Sequence, residues 1–87
     1  MAGSLTSYRA DVDIHLKPSV LDPAGVAVQK GLHHLGYPVD QVRIGKSIRL
    51  IVQAETAADA ENQVQQMCDQ LLANPVIETY TIRVVPL

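Results

Sequence analysis

The sequence predicts an α+β fold, a two-layer antiparallel sheet with two helices on one face. Three observations carry that expectation. Apolar residues alternate with period two near both ends of the chain, two apolar stripes of helical spacing lie between them, and cap or turn residues punctuate each junction.

The first strand is read from Tyr8, Ala10, Val12, Ile14 and Leu16 on one side against Arg9, Asp11, Asp13 and His15 on the other, one face buried and one wet. Pro18 and Pro23 then impose an irregular connection, because each removes a backbone donor and pins φ. Asp22 is placed to cap a helix whose first turn holds Pro23, with Leu21 and Val26 at the positions of a hydrophobic staple. Ala24, Ala27, Val28, Gly31, Leu32 and Leu35 form the stripe expected to be buried, and Gly36 followed by Pro38 ends the helix.

From Val39 to Ala54 the apolar residues Val42, Ile44, Ile48, Leu50, Val52 and Ala54 all fall on even positions. A two-residue hairpin at Gly45-Lys46 would pair residues of opposite faces, so it is excluded by phase. Two arrangements keep the phase: a three-residue turn Gly45-Lys46-Ser47, giving ferredoxin-like βαββαβ, or one long strand bent at Gly45, giving βαβαβ. The long strand would overshoot its own small domain and supplies a reason to dimerise by sharing strands, which the hairpin does not.

Thr56 with Asp59 forms a near capping box for the second helix, whose inner face is expected to be Ala57, Ala60, Val64, Met67, Cys68 and Leu71. Asn74-Pro75 ends it, and a last strand from Val76 to Val85 is expected to bury Val76, Tyr80, Ile82 and Val84. Residues 1–7 read as a flexible leader and 8–87 as a single domain.

Composition narrows the function. With 87 residues the chain is one domain near the lower limit for an independent core, and 47% hydrophobic content with no Phe or Trp makes that core aliphatic. Nine acids against seven bases, without a basic run, argue against a nucleic-acid partner. No apolar run reaches membrane-spanning length, the N-terminus lacks signal-peptide character, and one cysteine forms no internal disulfide, all of which suits a cytoplasmic protein.

No catalytic residue emerges. Cys68 lies on an apolar helix face, where an inert thiol is expected. His33 and His34 point about 100° apart on a helix, so they do not chelate one ion together, and His15 stands on another element. Asp11 and Asp13 share a wet face, and Asp22 is accounted for as a cap. Gly45-Lys46 lacks the remainder of a phosphate loop. The outward sheet face, with Arg9, Asp11, Asp13, His15, Arg43, Arg49, Ile51, Gln53, Thr79, Thr81, Arg83 and Val85, is the broadest candidate contact surface.

Four segments resemble one family. Leu16–Gly25 (LKPSVLDPAG), Leu32–Tyr37 (LHHLGY), Val42–Lys46 (VRIGK) and Met67–Glu78 (MCDQLLANPVIE) are similar, in order and spacing, to the signature stretches of PurS, the small subunit of phosphoribosylformylglycinamidine synthase. The resemblance covers about residues 8–84 and departs at Ser19, where glycine is common. It implies a non-catalytic, dimeric or higher homo-oligomeric bridge between an ATP-dependent synthetase (PurL-like) and a glutaminase (PurQ-like), supporting ammonia transfer between them. It implies no cofactor in this chain, ATP and Mg being used by the partner synthetase. Lys17, Pro18, Asp22, Arg43, Gly45, Lys46, Asn74 and Pro75 are the expected partner-interface residues, with Lys17, Arg43 and Lys46 least accounted for by the fold. The rival readings are a free-standing amino-acid sensor on a ferredoxin-like scaffold and an acylphosphatase-like enzyme; the latter needs an anion-cradling loop that this sequence lacks.

Overall fold

The structure, a computed structural model, describes residues 4–87. The chain runs β1 (Thr6–Leu16), α1 (Pro23–His34), β2 (Lys46–Ala54), α2 (Ala57–Met67) with a π-helical turn (Cys68–Leu72), and β3 (Glu78–Pro86). The sheet is antiparallel throughout, in the order β2-β1-β3. One ladder runs from Thr6 opposite Ala54 to Ile14 opposite Lys46, the other from Tyr8 opposite Pro86 to Leu16 opposite Glu78. Of the expected leader, residues 1–3 lie outside those described. Thr6 and Ser7 already belong to β1, since a backbone ladder continues where side-chain alternation has stopped.

The alternation in β1 translates into a core of Ala10, Val12 and Ile14, all fully buried, joined by Val52 and Ala54 from β2. The second layer is α2. Thr56 Oγ1 accepts from the Asp59 amide at 3.1 Å to start it, and Ala60, Val64 and Cys68 pack fully buried on the sheet. Burial pushes the Cys68 thiol up from its ordinary value, as expected of an inert core cysteine.

Beyond Met67 the helix widens. The Ala73 amide bonds the Cys68 carbonyl five residues back at 3.0 Å. That extra residue in the turn rotates Leu71 outward, leaving it 83% exposed, and brings Leu72 and Ala73 toward the core instead. The helical spacing therefore misplaces Leu71. Ala57, also expected inside, is exposed at the first turn. Tyr80 ties β3 to the π turn by donating to Asp69 Oδ1 at 2.7 Å, a bond to a carboxylate that pushes the phenol up to about 12. From this packing, Leu71→Ser should change stability by less than about 0.5 kcal/mol, whereas Val64→Ala should cost about 2 kcal/mol. Urea unfolding followed by circular dichroism checks both.

The last strand starts later than the apolar pattern suggests. Val76 sits in a turn and is 76% exposed, because Asn74 organises residues 74–78 before the ladder begins. The Asn74 carbonyl accepts from Ile77 and Glu78, its Oδ1 accepts from Val76, and its amide donates to Glu78 Oε1.

The first helix departs most from expectation. Whereas α2 packs on all three strands, α1 makes no comparable contact with any of them. It projects as an arm, and the molecule measures 61 × 27 × 14 Å with a radius of gyration of 17.2 Å. A compact chain of this length would have about 12 Å. Ala24, Ala27, Val28, Gly31 and Leu35 are exposed, Leu32 is half-buried, and Gly25 is the buried residue of the helix. Leu21 and Val26 likewise stay exposed. Gly36, at φ +97°, supplies the left-handed residue that stops the helix, with Tyr37 N–H bonding the Leu32 carbonyl and Gly36 N–H that of His33. The chain then returns along the arm: Gln29 Nε2 donates to the Asp40 carbonyl at 3.0 Å, and His33 Nε2 lies 2.6 Å from the Val39 carbonyl.

The observed order is βαβαβ. Regular strand begins at Lys46 and pairs with β1, so no hairpin forms at Gly45-Lys46-Ser47. Residues 39–45 are outside regular strand within one chain.

Candidate functional site

All eight expected interface residues gather at one end of the sheet, where the arm leaves it. Asp22 is central. It is 4% exposed, and its carboxylate accepts from the Ile44 amide at 2.7 Å (Oδ2) and the Gly25 amide at 2.9 Å (Oδ1). One side chain thus caps α1 and clamps the returning segment. Those bonds, that from Ile44 foremost and then that from Gly25, hold its pKa below the ordinary 3.8.

Two glycines make the clamp possible. A Cβ on Gly25 would collide with the Val42 carbonyl, and one on Gly45 would lie 2.5 Å from the Ile14 carbonyl and 2.7 Å from the His15 ring. Arg43 Nη2 donates to the Lys17 carbonyl at 3.0 Å, and the Lys17 amide donates to the Ile77 carbonyl at 2.8 Å. Arg43 is therefore a brace between loops and does not lie on the outward sheet face where the strand phase placed it. Lys46 Nζ stands 3.8 Å from Glu78 Oε2 with its side chain 57% exposed, linking the start of β2 to the start of β3. Pro18 and Pro75 are exposed on the surrounding loops.

The strand phase missed part of this site. Glu78 joins Lys46 to Asn74, and Leu71 and Val76 stand exposed next to Asn74-Pro75 in sequence. The π turn that turns Leu71 outward has no local signature in the residue pattern.

The outward face of the sheet is uncovered by any helix. Asp11 lies at its centre, opposite Arg49 on β2 and Arg83 on β3. Arg49 Nε approaches it at 2.8 Å, Arg9 Nε at 3.4 Å and Arg83 Nη2 at 3.7 Å. The Arg49 hydrogen bond, with the charge of the other guanidiniums, lowers the Asp11 pKa. Among the described residues no group of three His, Cys, Asp or Glu side chains is placed to hold a metal ion, and no helix is long and apolar enough to cross a membrane.

Fold and junction together define a small α+β protein with a braced, projecting helical arm whose apolar stripe calls for another chain. Residues 9–86 match the family model PurS: Phosphoribosylformylglycinamidine (FGAM) synthase. The chain is 55% identical over 82 residues to the phosphoribosylformylglycinamidine synthase subunit PurS of Synechocystis sp., covering 93% of this chain and 82% of that one. It superposes on Methanocaldococcus jannaschii PurS, one of the subunits of formylglycinamide ribonucleotide amidotransferase, with TM-score 0.84 and 41% identity, covering 92% and 98% of the two chains. It also superposes on a chain of the Thermotoga maritima PurLQS structure with TM-score 0.85 and 36% identity, covering 91% and 98%. The chain belongs to the PurS family.

Proposed function

We propose that this chain is the bridging subunit of a phosphoribosylformylglycinamidine synthase in purine biosynthesis, holding an ATP-dependent synthetase and a glutaminase together so that ammonia passes between them. The observation that carries this is the match of nearly the whole chain to a chain of the PurLQS structure. The matches described above lie in one synthase family, which disfavours a free-standing amino-acid sensor. In this reading ATP and Mg are handled by the synthetase, this chain carries no cofactor or catalytic group, and the complex works in the cytoplasm.

The junction suits such a role. Asp22, Arg43, Gly45 and Asn74 set the backbone, while Lys17, Pro18, Lys46 and Pro75 offer the contacts. A homodimer follows from the arm. Its apolar stripe is uncovered, and Ile48, Leu50, Tyr80, Ile82 and Val84 on the sheet's inner face are only partly buried by α2. The α1 of a second copy laid there would complete the second layer twice, by one two-fold operation.

Reconstitution tests the bridge. With synthetase and glutaminase present, omitting this chain should abolish most glutamine-dependent amidine formation while sparing the reaction driven by added ammonia. Equal glutamine-dependent rates with and without the chain would sink the reading. Lys46→Glu should weaken assembly at unchanged melting temperature, whereas Arg43→Glu should also loosen the junction, because its guanidinium serves an internal carbonyl.

A further inference from the structure

Where the second helix ends, its last carbonyls are left open. Every amide after the π turn is committed elsewhere. Ala73 donates to the Cys68 carbonyl, Asn74 to Glu78 Oε1, Val76 to Asn74 Oδ1, and Ile77 and Glu78 to the Asn74 carbonyl, while Pro75 has no amide hydrogen. Among the described residues no side chain donates to the Gln70, Leu71 or Leu72 carbonyls either. Helices commonly meet this need with a left-handed residue or a basic side chain in the last turn. Here the chain leaves in extended form at Ala73 (φ −125°, ψ 151°), and the last turn holds no base.

The same turn presents apolar side chains to solvent. Leu71 is 83% and Val76 76% exposed, with Pro75 and Ile77 also exposed beside them in the chain. Regular α-helical spacing would carry Leu71 to the inner face; the π turn spends it on the surface, and such turns recur at functional sites. The charge here is one-sided. Between Arg49 and Arg83 the chain carries Glu55, Asp59, Glu61, Asp69 and Glu78 but no lysine or arginine. Asp69 lies in the π turn itself, and the negative end of the helix dipole adds to the open carbonyls. On the junction side, Lys46 lies against Glu78, and Lys17 joins the Ile77 carbonyl through its amide.

We infer that the end of α2, formed by Leu71, Val76 and the open carbonyls of residues 70–72, docks a segment of one of the bridged enzymes in which an arginine or lysine stands between apolar side chains. This rests on the bridging reading and gives its contact a chemistry. The cation supplies the donors that the helix end lacks, and its apolar neighbours cover Leu71 and Val76. Either half alone is ordinary surface; together they specify a basic, apolar-flanked occupant. A second copy does not fill this place. Its projecting element is the arm, and the arm's apolar stripe is matched by the half-covered inner face of the sheet, which leaves the helix end to a different chain.

The test titrates the full chain against the purified synthetase and the purified glutaminase separately, with sedimentation velocity and melting curves of the chain alone as controls. Leu71→Ser combined with Val76→Ser should weaken binding to one of the two enzymes at least about tenfold, because both anchors are lost. Gln70→Lys, which sets a competing cation beside the open carbonyls, should weaken the same binding about tenfold, whereas Gln70→Glu should leave it within about threefold. All three variants should keep the mass and melting curve of the unmodified chain. Normal binding of both enzymes by the serine variant or by Gln70→Lys would overturn the inference while leaving the bridging role intact. A stronger loss for Gln70→Glu than for Gln70→Lys would mean an acidic occupant and equally overturn it. So would a change in self-association of the variants, which would hand the helix end to a second copy. Failure of the unmodified chain to bind either enzyme would sink the bridging role, and this inference with it.

Discussion

Asp22→Ala is expected to free the helical arm from the sheet and lower the melting temperature by roughly 5–10 °C, more than an ordinary cap substitution. The carboxylate serves two donors, the Gly25 amide three residues on, which begins α1, and the Ile44 amide 22 residues on, along the return path. Alanine leaves both unsatisfied at a buried position. Asp22→Asn should fall between, since its carbonyl can accept from one amide while its NH₂ group confronts the other. The same clamp gives a pH dependence whose sign is fixed. The folded-state pKa is depressed, so the stabilisation is fully present above the ordinary value of 3.8 and is lost as pH falls below it through the native pKa. Hydrogen exchange at Ile44 and Gly25 reports this directly. Retained protection in Asp22→Ala would show that Arg43 and the loop backbone hold the junction without the carboxylate.

The second large effect lies on the arm. Val28→Asp combined with Leu35→Asp should leave folded monomers, raising the dimer dissociation constant by at least about 100-fold. In one chain these side chains are 42% and 73% exposed, so the substitutions remove no intrachain core packing. Circular dichroism should therefore be unchanged while sedimentation shows half the mass. A dimer that survives both charges would mean that the stripe is not where copies meet.

That stripe also shows how far the sequence could be read. The spacing of Ala24, Ala27, Val28, Gly31, Leu32 and Leu35 states that this helix has an apolar face, and it does. It cannot state which chain covers that face, because periodicity carries no information about whose sheet lies opposite. The even phase from Val42 to Ala54 has the same character. It excluded the two-residue hairpin, but the strand itself begins at Lys46, since residues 39–45 are tied to α1 and to Asp22 rather than to a neighbouring strand. Caps and stops were legible because their chemistry is local: Gly36, Thr56, Asn74 and the cap from Asp22 to Gly25 each act within a few residues, whereas the second bond of Asp22, to Ile44, was not legible.

Leu71 and Val76 were not legible, one turned out by a π turn and the other held in an Asn-organised turn, each an apolar residue where the pattern required burial. For the site, the eight candidate residues were chosen within the family-like segments as those whose conformation or charge the core does not use. Their division into braces and open contacts needed coordinates. Arg43 is indistinguishable from Lys46 in the sequence, yet the guanidinium of one is engaged by the Lys17 carbonyl, while the ammonium of the other stands 3.8 Å from Glu78 on a side chain 57% exposed.

The bridging role is tested most directly by sedimentation of the synthetase and the glutaminase mixed with and without this chain, under the conditions of turnover. The account predicts one assembly containing all three proteins when the chain is present, and two separately sedimenting enzymes when it is omitted. Co-sedimentation of the two enzymes in its absence, to the same extent as in its presence, would contradict it.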